Sequence, residues 1–120
     1  MKVAVTARGQ ELDSEVDVRF GRAAFLIVVD TESGQFSAHD NTQNLNAAQG
    51  AGIQTASRVI DLGVEAVLTG NVGPKAFVTL QAGGVAIYAG VSGSVSEALE
   101  QLKSGELKGT DGATVQGHWM

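Results

Sequence analysis

Four residues, Thr31-Glu32-Ser33-Gly34, stand between two runs that read as strands, "FLIVVD" (Phe25 to Asp30) and "QFSAHD" (Gln35 to Asp40). So short a connection, ending in glycine, is a hairpin turn, and it sets the two strands side by side and antiparallel. Downstream the demand reverses. "EAVLTG" (Glu65 to Gly70) and "VAIYAG" (Val85 to Gly90) are separated by the helix-like "GPKAFVTLQAGG". A strand–helix–strand crossover is right-handed and places its two strands in parallel. The chain must therefore build one sheet that is antiparallel on one side and parallel on the other.

The remaining elements fit that frame. "KVAVTA" (Lys2 to Ala7) is a first strand. From about Ala47 to Leu62, apolar residues recur at Ile53, Ala56, Val59 and Ile60 ahead of Gly63, a spacing that predicts a helix. Pro74 sits at the first turn of the second helix, with a glycine pair after its end. The third helix begins with Ser94 and Glu97 in capping-box spacing and stops at Gly105. The order βββαβαβα predicts an α/β fold: a five-stranded mixed sheet, order 3-2-1-4-5, flanked by helices in the ribonuclease-H-like manner, as a single domain over residues 1–120.

Composition narrows the function. A 43% hydrophobic, 18% charged chain is globular. No stretch reaches the ~20 apolar residues of a membrane span, and Met1-Lys2 leads straight into a strand, so no membrane association and a cytoplasmic location are expected. Net charge −5 argues against nucleic acid as a partner. The chain has no cysteine, which removes disulfides, thiolate chemistry and cysteine-held zinc or iron–sulfur centres.

Catalytic constellations are missing. There is no P-loop and no GxGxxG after the first strand, and "KVAVTA" lacks the carboxylate a two-metal nuclease would need there. His39 reads as a surface or packing residue, His118 belongs to the tail "GHWM", and no Ser/His/Asp set assembles. The expectation is a protein that is not an enzyme.

What stands out is the entry to the second strand, "RFGRAAF", where Arg19 and Arg22 surround Phe20 and Gly21. Three strand–helix junctions are glycine-rich: "QGAG" with Gly50 and Gly52, "TGNVGPK" with Gly70, Asn71, Gly73 and Lys75, and "AGVSGS". In open α/β sheets such junctions lie at the carboxyl ends of the strands, where helix N-termini carry about half a positive charge and favour anions. Arg8, Arg19, Arg22 and Lys75 would gather at that end of an acidic protein, which suits an anion too large for one phosphate loop. The plainer possibilities are that Arg19 and Arg22 pair with Asp17 or Asp13, that Phe20 anchors the loop in the core, and that the glycines serve only turns. Alanine at Gly52, a helical position, is expected to stabilise the unliganded protein.

"RFGRAAFLIVVD", "GAGIQTA", "LTGNVGPKAFVTLQAGGVAIYAG" and "EALEQLKSGEL", in this order, resemble the nitrogenase iron–molybdenum cofactor biosynthesis family, the NifX-like domains, over Lys2 to about Leu107. The resemblance implies a ribonuclease-H-like fold without nuclease activity, and binding, storage or transfer of a metal–sulfur cluster, of molybdenum–copper sulfide or iron–molybdenum type. It also implies a protein partner that delivers or receives the cluster. The family's loop falls on Arg19, Phe20, Gly21, Arg22 and Ala23, its helix start on Gly50 and Gly52, and its T-G-N-x-G-P motif on Thr69, Gly70, Asn71, Gly73 and Pro74. Many relatives carry histidine where this chain has Gln49. Without that histidine and without cysteine, no side chain is expected to ligate metal, and charge and hydrogen bonds do the holding. Two other functions compete: an interaction module whose glycine-rich end docks a cofactor-assembly or cell-division partner, and a hydrolase or nucleotide binder using the anion site for phosphate.

Overall fold

A computed structural model of the chain describes residues 1–42 and 50–110. The strands are β1 (Lys2–Ala7), β2 (Phe25–Asp30), β3 (Phe36–Asp40), β4 (Ala66–Leu68) and β5 (Ala86–Tyr88), and the helices α1 (Ala51–Asp61), α2 (Pro74–Ala82) and α3 (Val95–Lys103). They form one five-stranded sheet of order β3-β2-β1-β4-β5. β1 pairs antiparallel with β2 and β2 with β3, while β1 pairs parallel with β4 and β4 with β5. This is the α/β, ribonuclease-H-like arrangement expected from the order of the elements.

The hairpin between β2 and β3 closes through local chemistry. Gly34 adopts φ 78° and its N–H donates to the Asp30 carbonyl at 2.8 Å, while the Asp30 carboxylate accepts from the Glu32 amide at 2.9 Å. An aspartate that holds the amide two residues on favours this kind of turn.

Alternation along the strands makes two cores. Ala4, Leu26, Val28, Val67 and Ile87 face α1 and α2, together with Phe20, Ala56, Val59, Ala76, Phe77 and Leu80. Val3, Val5, Ala7, Ile27, Val29, Ala66 and Leu68 face α3, with Val95, Ala98 and Leu99. β1 is covered on both faces, which explains why its residues from Val3 to Ala7 are all buried.

Several boundaries and one face differ from expectation. β4 and β5 are shorter, because Gly70 and Gly90 lie beyond their ends. The expected start of the first helix at Ala47 falls outside the described residues, and α1 begins at Ala51. The buried stripe of α1 is Ala51, Thr55, Ala56 and Val59, whereas Ile53 is 39% exposed. Thr55 takes the inward position because its hydroxyl finds partners there, donating to the Gly21 carbonyl at 3.0 Å and accepting from Asn41 Nδ2 at 3.2 Å.

Candidate functional site

All three helices begin at the end of the sheet where β1, β4 and β5 present their carboxyl ends, and they begin differently. At α3 the Ser94 hydroxyl accepts from the Glu97 amide at 3.1 Å, and the Glu97 carboxylate accepts from the Ser94 amide at 2.9 Å. That helix start is filled by the protein's own anion, and the hydrogen bonds from Ser94 hold the Glu97 carboxyl below its ordinary value of 4.5. The third glycine-rich junction, "AGVSGS", is thus committed to capping. α1 begins at Gly50, in the left-handed region at φ 81°, and α2 at Gly73, and neither start has a side-chain cap or an acidic residue in its first turn. Among the described residues, no side chain caps either partial positive charge.

The two uncapped starts lie against each other. A Cβ on Gly52 would stand 3.2 Å from the Cβ of Ala76, which joins the first turns of α1 and α2. The arginine loop packs into the same place. The Asn71 amide donates to the Val18 carbonyl at 2.8 Å, the Phe20 amide to the Asn71 carbonyl at 3.2 Å, and Arg19 and Asn71 form an isolated parallel bridge. Gly70 passes so close to Val18 that a Cβ would meet its Cα at 2.6 Å, and Gly21 so close to α1 that a Cβ would meet the Gly52 nitrogen at 2.7 Å. Both glycines are there for the close approach of backbone to backbone.

Beneath the loop lies a buried polar layer. The Thr6 and Thr69 hydroxyls, at the ends of β1 and β4, are 2.8 Å apart, and Thr6 donates to the Asp17 carbonyl at 2.7 Å. The Asp17 side chain is 1% exposed, and its carboxylate accepts from the Arg19 amide at 3.0 Å and from Arg19 Nε at 3.4 Å. Arg19 therefore does pair with Asp17, yet its side chain stays 43% exposed. A guanidinium engaged through Nε keeps its outer N–H groups for another acceptor.

The structure thus brings together Arg19, Gly21, Gly50, Gly52, Gly70, Asn71 and Gly73, with Arg22 half-buried in the same loop and Lys75 exposed on the first turn of α2. Phe20 is fully buried in the core and supports the loop from below. Arg8 lies apart in its contacts: its amide donates to Glu15, and Glu15 bridges Ser94 at the start of α3. Gln49 and His118 fall outside the described residues. His39 keeps Nε2 at 2.9 Å from the Ser37 hydroxyl, and partial burial, then Arg58 and Lys2, hold its pKa below 6.5. On the largely exposed strand β3, it has only the Ser37 hydroxyl as a side-chain hydrogen-bond partner among the described residues. Among the described residues no group of three or more histidine, cysteine or acidic side chains could hold a metal ion. What the end of the sheet offers is backbone N–H groups and guanidinium, the complement of an anion with acceptors on its outside.

Asn41 and Thr55 were not singled out in the sequence. The one available signal was a polar residue in the inward phase of α1, four positions after Ala51 and four before Val59.

Comparison with known proteins gives concordant matches. The family model "Dinitrogenase iron-molybdenum cofactor" matches residues 1–105. The apo form of the orange protein from Desulfovibrio gigas superposes with a TM-score of 0.93 at 37% identity, covering 95% of this chain and 96% of that one. A NifB-like protein from Thermotoga, solved by NMR, gives 0.83 at 37% identity over 97% and 98%. An uncharacterized protein from Methanocaldococcus jannaschii is 27% identical over 110 residues, 90% of each chain.

Proposed function

Since the chain belongs to the dinitrogenase iron–molybdenum cofactor family, we propose that it binds and carries an anionic metal–sulfur cluster as cargo, without catalysis. The carrying observation is the contrast between helix starts: α3 is closed by its own glutamate, while α1 and α2, set together beside the arginine loop, are not. The cargo is held without metal–protein bonds, by the first-turn amides of α1 and α2 and by Arg19, Arg22 and Lys75 around the rim. Sulfido groups on the outside of a molybdenum–copper sulfide accept hydrogen bonds from such donors, and this cluster type fits a cysteine-free chain best. An iron–molybdenum cluster is the second type to test. Arg8, exposed directly after the carboxyl end of β1, adds positive charge at the same end of the sheet. Delivery and removal of the cargo involve another protein.

The test is anaerobic reconstitution with tetrathiomolybdate and copper(I), followed by desalting, absorption spectroscopy and elemental analysis. A charge-transfer band that stays with the protein, with molybdenum and copper in fixed ratio to it, is expected. A colourless, metal-free protein after desalting would reject the proposal.

A second reading, that this end docks a protein partner, is favoured by Ile53 and Val78, which are 39% and 62% exposed on the two helices that flank the site. Scattered apolar residues are ordinary on surfaces, so the helix-start contrast carries more weight.

A further inference from the structure

The loop that carries the arginines is clamped from inside by two buried side chains. Asn41, fully buried just past the end of β3, donates through Nδ2 to the Ala23 carbonyl at 2.9 Å and to Thr55 Oγ1 at 3.2 Å. Thr55, fully buried on α1, donates to the Gly21 carbonyl at 3.0 Å. The Asn41 amide also donates to the Ala24 carbonyl at 2.8 Å. The end of β3, helix α1 and the arginine loop before β2 are thereby tied at one point.

We propose that Asn41 and Thr55 are positioning residues for the anion site: they hold the Gly21 and Ala23 carbonyls inside the protein and so fix the Gly21–Arg22 and Ala23–Ala24 peptide planes, which bracket the Arg22–Ala23 pair. The inference rests on the reading of this site as an anion carrier. A carbonyl oxygen is the negative end of its peptide dipole, and in a trans peptide the next residue's N–H points the opposite way. Among the described residues every peptide is trans. With the Gly21 and Ala23 oxygens turned towards Thr55 and Asn41, the N–H groups of Arg22 and Ala24 are turned away from them. Losing the clamp frees both planes to rotate, which brings carbonyl oxygen to the surface and lets the Arg22 side chain leave its place. A buried polar pair is a costly way to fill a core, and here its acceptors are loop carbonyls that helix α1 and strand β3 do not need for their own hydrogen bonding.

The experiment titrates tetrathiomolybdate, a tetrahedral dianion with sulfur on its outside, into wild type, Thr55→Val and Thr55→Ser by absorption spectroscopy, at several ionic strengths and at a temperature where each is folded by circular dichroism. Thr55→Val keeps the shape and deletes the hydroxyl; Thr55→Ser keeps the hydroxyl. Loss of the Thr55 hydroxyl, which donates to the Gly21 carbonyl and accepts from Asn41, predicts affinity weakened by about tenfold in Thr55→Val, with a shallower salt dependence because Arg22 contributes less. Thr55→Ser restores both. A purely structural role would lower the melting temperature and leave affinity and salt dependence unchanged, and that result overturns the inference. If Thr55→Val does not fold, Thr55→Ala, which suits a helix, replaces it with the same expectations. No binding by wild type would instead reject the anion-carrier reading, and the inference with it.

Discussion

The Cα of Gly21 faces the first turn of α1 so closely that a Cβ there would stand 2.7 Å from the amide nitrogen of Gly52. The obstacle is helix backbone, which cannot yield without moving α1. Gly21→Ala is expected to destabilise the protein by about 1–3 kcal/mol, the usual range for overpacking. At Gly52 the neighbour is a single methyl, Ala76 Cβ at 3.2 Å, so the stabilisation expected from helix propensity is offset by a tight contact between α1 and α2. Gly52→Ala should move stability by less than about 1 kcal/mol in either direction. Thermal unfolding of the two variants side by side checks the contrast. A Gly21→Ala protein as stable as wild type would show that the loop does not press against the first turn of α1.

Arg22→Ala is expected to weaken binding of tetrathiomolybdate, read by titration at a temperature where the variant and wild type are both folded by circular dichroism. Charge-assisted hydrogen bonds contribute roughly 1.5–3 kcal/mol each, so a loss of about tenfold or more is measurable by titration. Arg19→Ala is a less clean variant, because it also deprives the buried Asp17 carboxylate of its Nε partner. The Arg19 amide still satisfies that carboxylate at 3.0 Å, which limits the cost to about 1–2 kcal/mol of stability. Equal affinity in wild type and Arg22→Ala would remove the loop from the site.

Retention of a bound cluster should fall with ionic strength and be indifferent to iodoacetamide. There is no thiolate in the chain to alkylate. At ordinary salt exposed charges interact strongly only within about 8–10 Å, and that reach shortens as salt rises, so a partly open site loses part of its hold. Metal content after gel filtration at low and high salt reads both effects. Release by the alkylating agent, with salt inert, contradicts the mode of holding.

Glu97 supplies a pH signature on the opposite side of the sheet. Its folded pKa is depressed below 4.5, so the stability it contributes is present above that value and is lost as pH falls through the lower, folded one. Glu97→Gln keeps an acceptor for the Ser94 amide and removes the charge. Wild type should melt higher than Glu97→Gln near neutrality, with the difference closing below pH 4.5. Ser94→Ala should cost about 0.5–2 kcal/mol at neutral pH and leave anion binding unchanged. An effect of Ser94→Ala on binding would draw α3 back into the site.

The sheet order was legible because two kinds of connection, a hairpin turn at Gly34 and a proline-started crossover at Pro74, leave little choice of topology. The gathering of Arg19, Asn71, Gly50 and Gly73 at one end followed from the same order. The inner face of α1 was not legible. Apolar periodicity assigns Ile53 inward and treats Thr55 as surface, yet the cost of burying a hydroxyl disappears when Gly21 and Asn41 complete its hydrogen bonds. Those partners are 34 and 14 residues away in the chain, and no local pattern announces them. Likewise, the reason for glycine at positions 21 and 70 is a contact with distant backbone, which a sequence shows only as the residue without a side chain. The arginines illustrate a third limit: that Arg19 pairs with Asp17 and still keeps 43% of its side chain exposed is a matter of geometry that no local pattern announces.

The two cores on opposite faces of the sheet make the molecule a partition. Whatever is attached to the outer surface of α3 is separated by the whole sheet from the starts of α1 and α2 where they meet the arginine loop. In a chain with no cysteine of its own, a single one installed at exposed Glu100 and capped with a fluorophore would be a unique label on the far side of that wall. A coloured cluster arriving opposite would dim it through space without touching it. Loading and unloading could then be followed in real time, in the presence of other proteins, by light from a residue that takes no part in either.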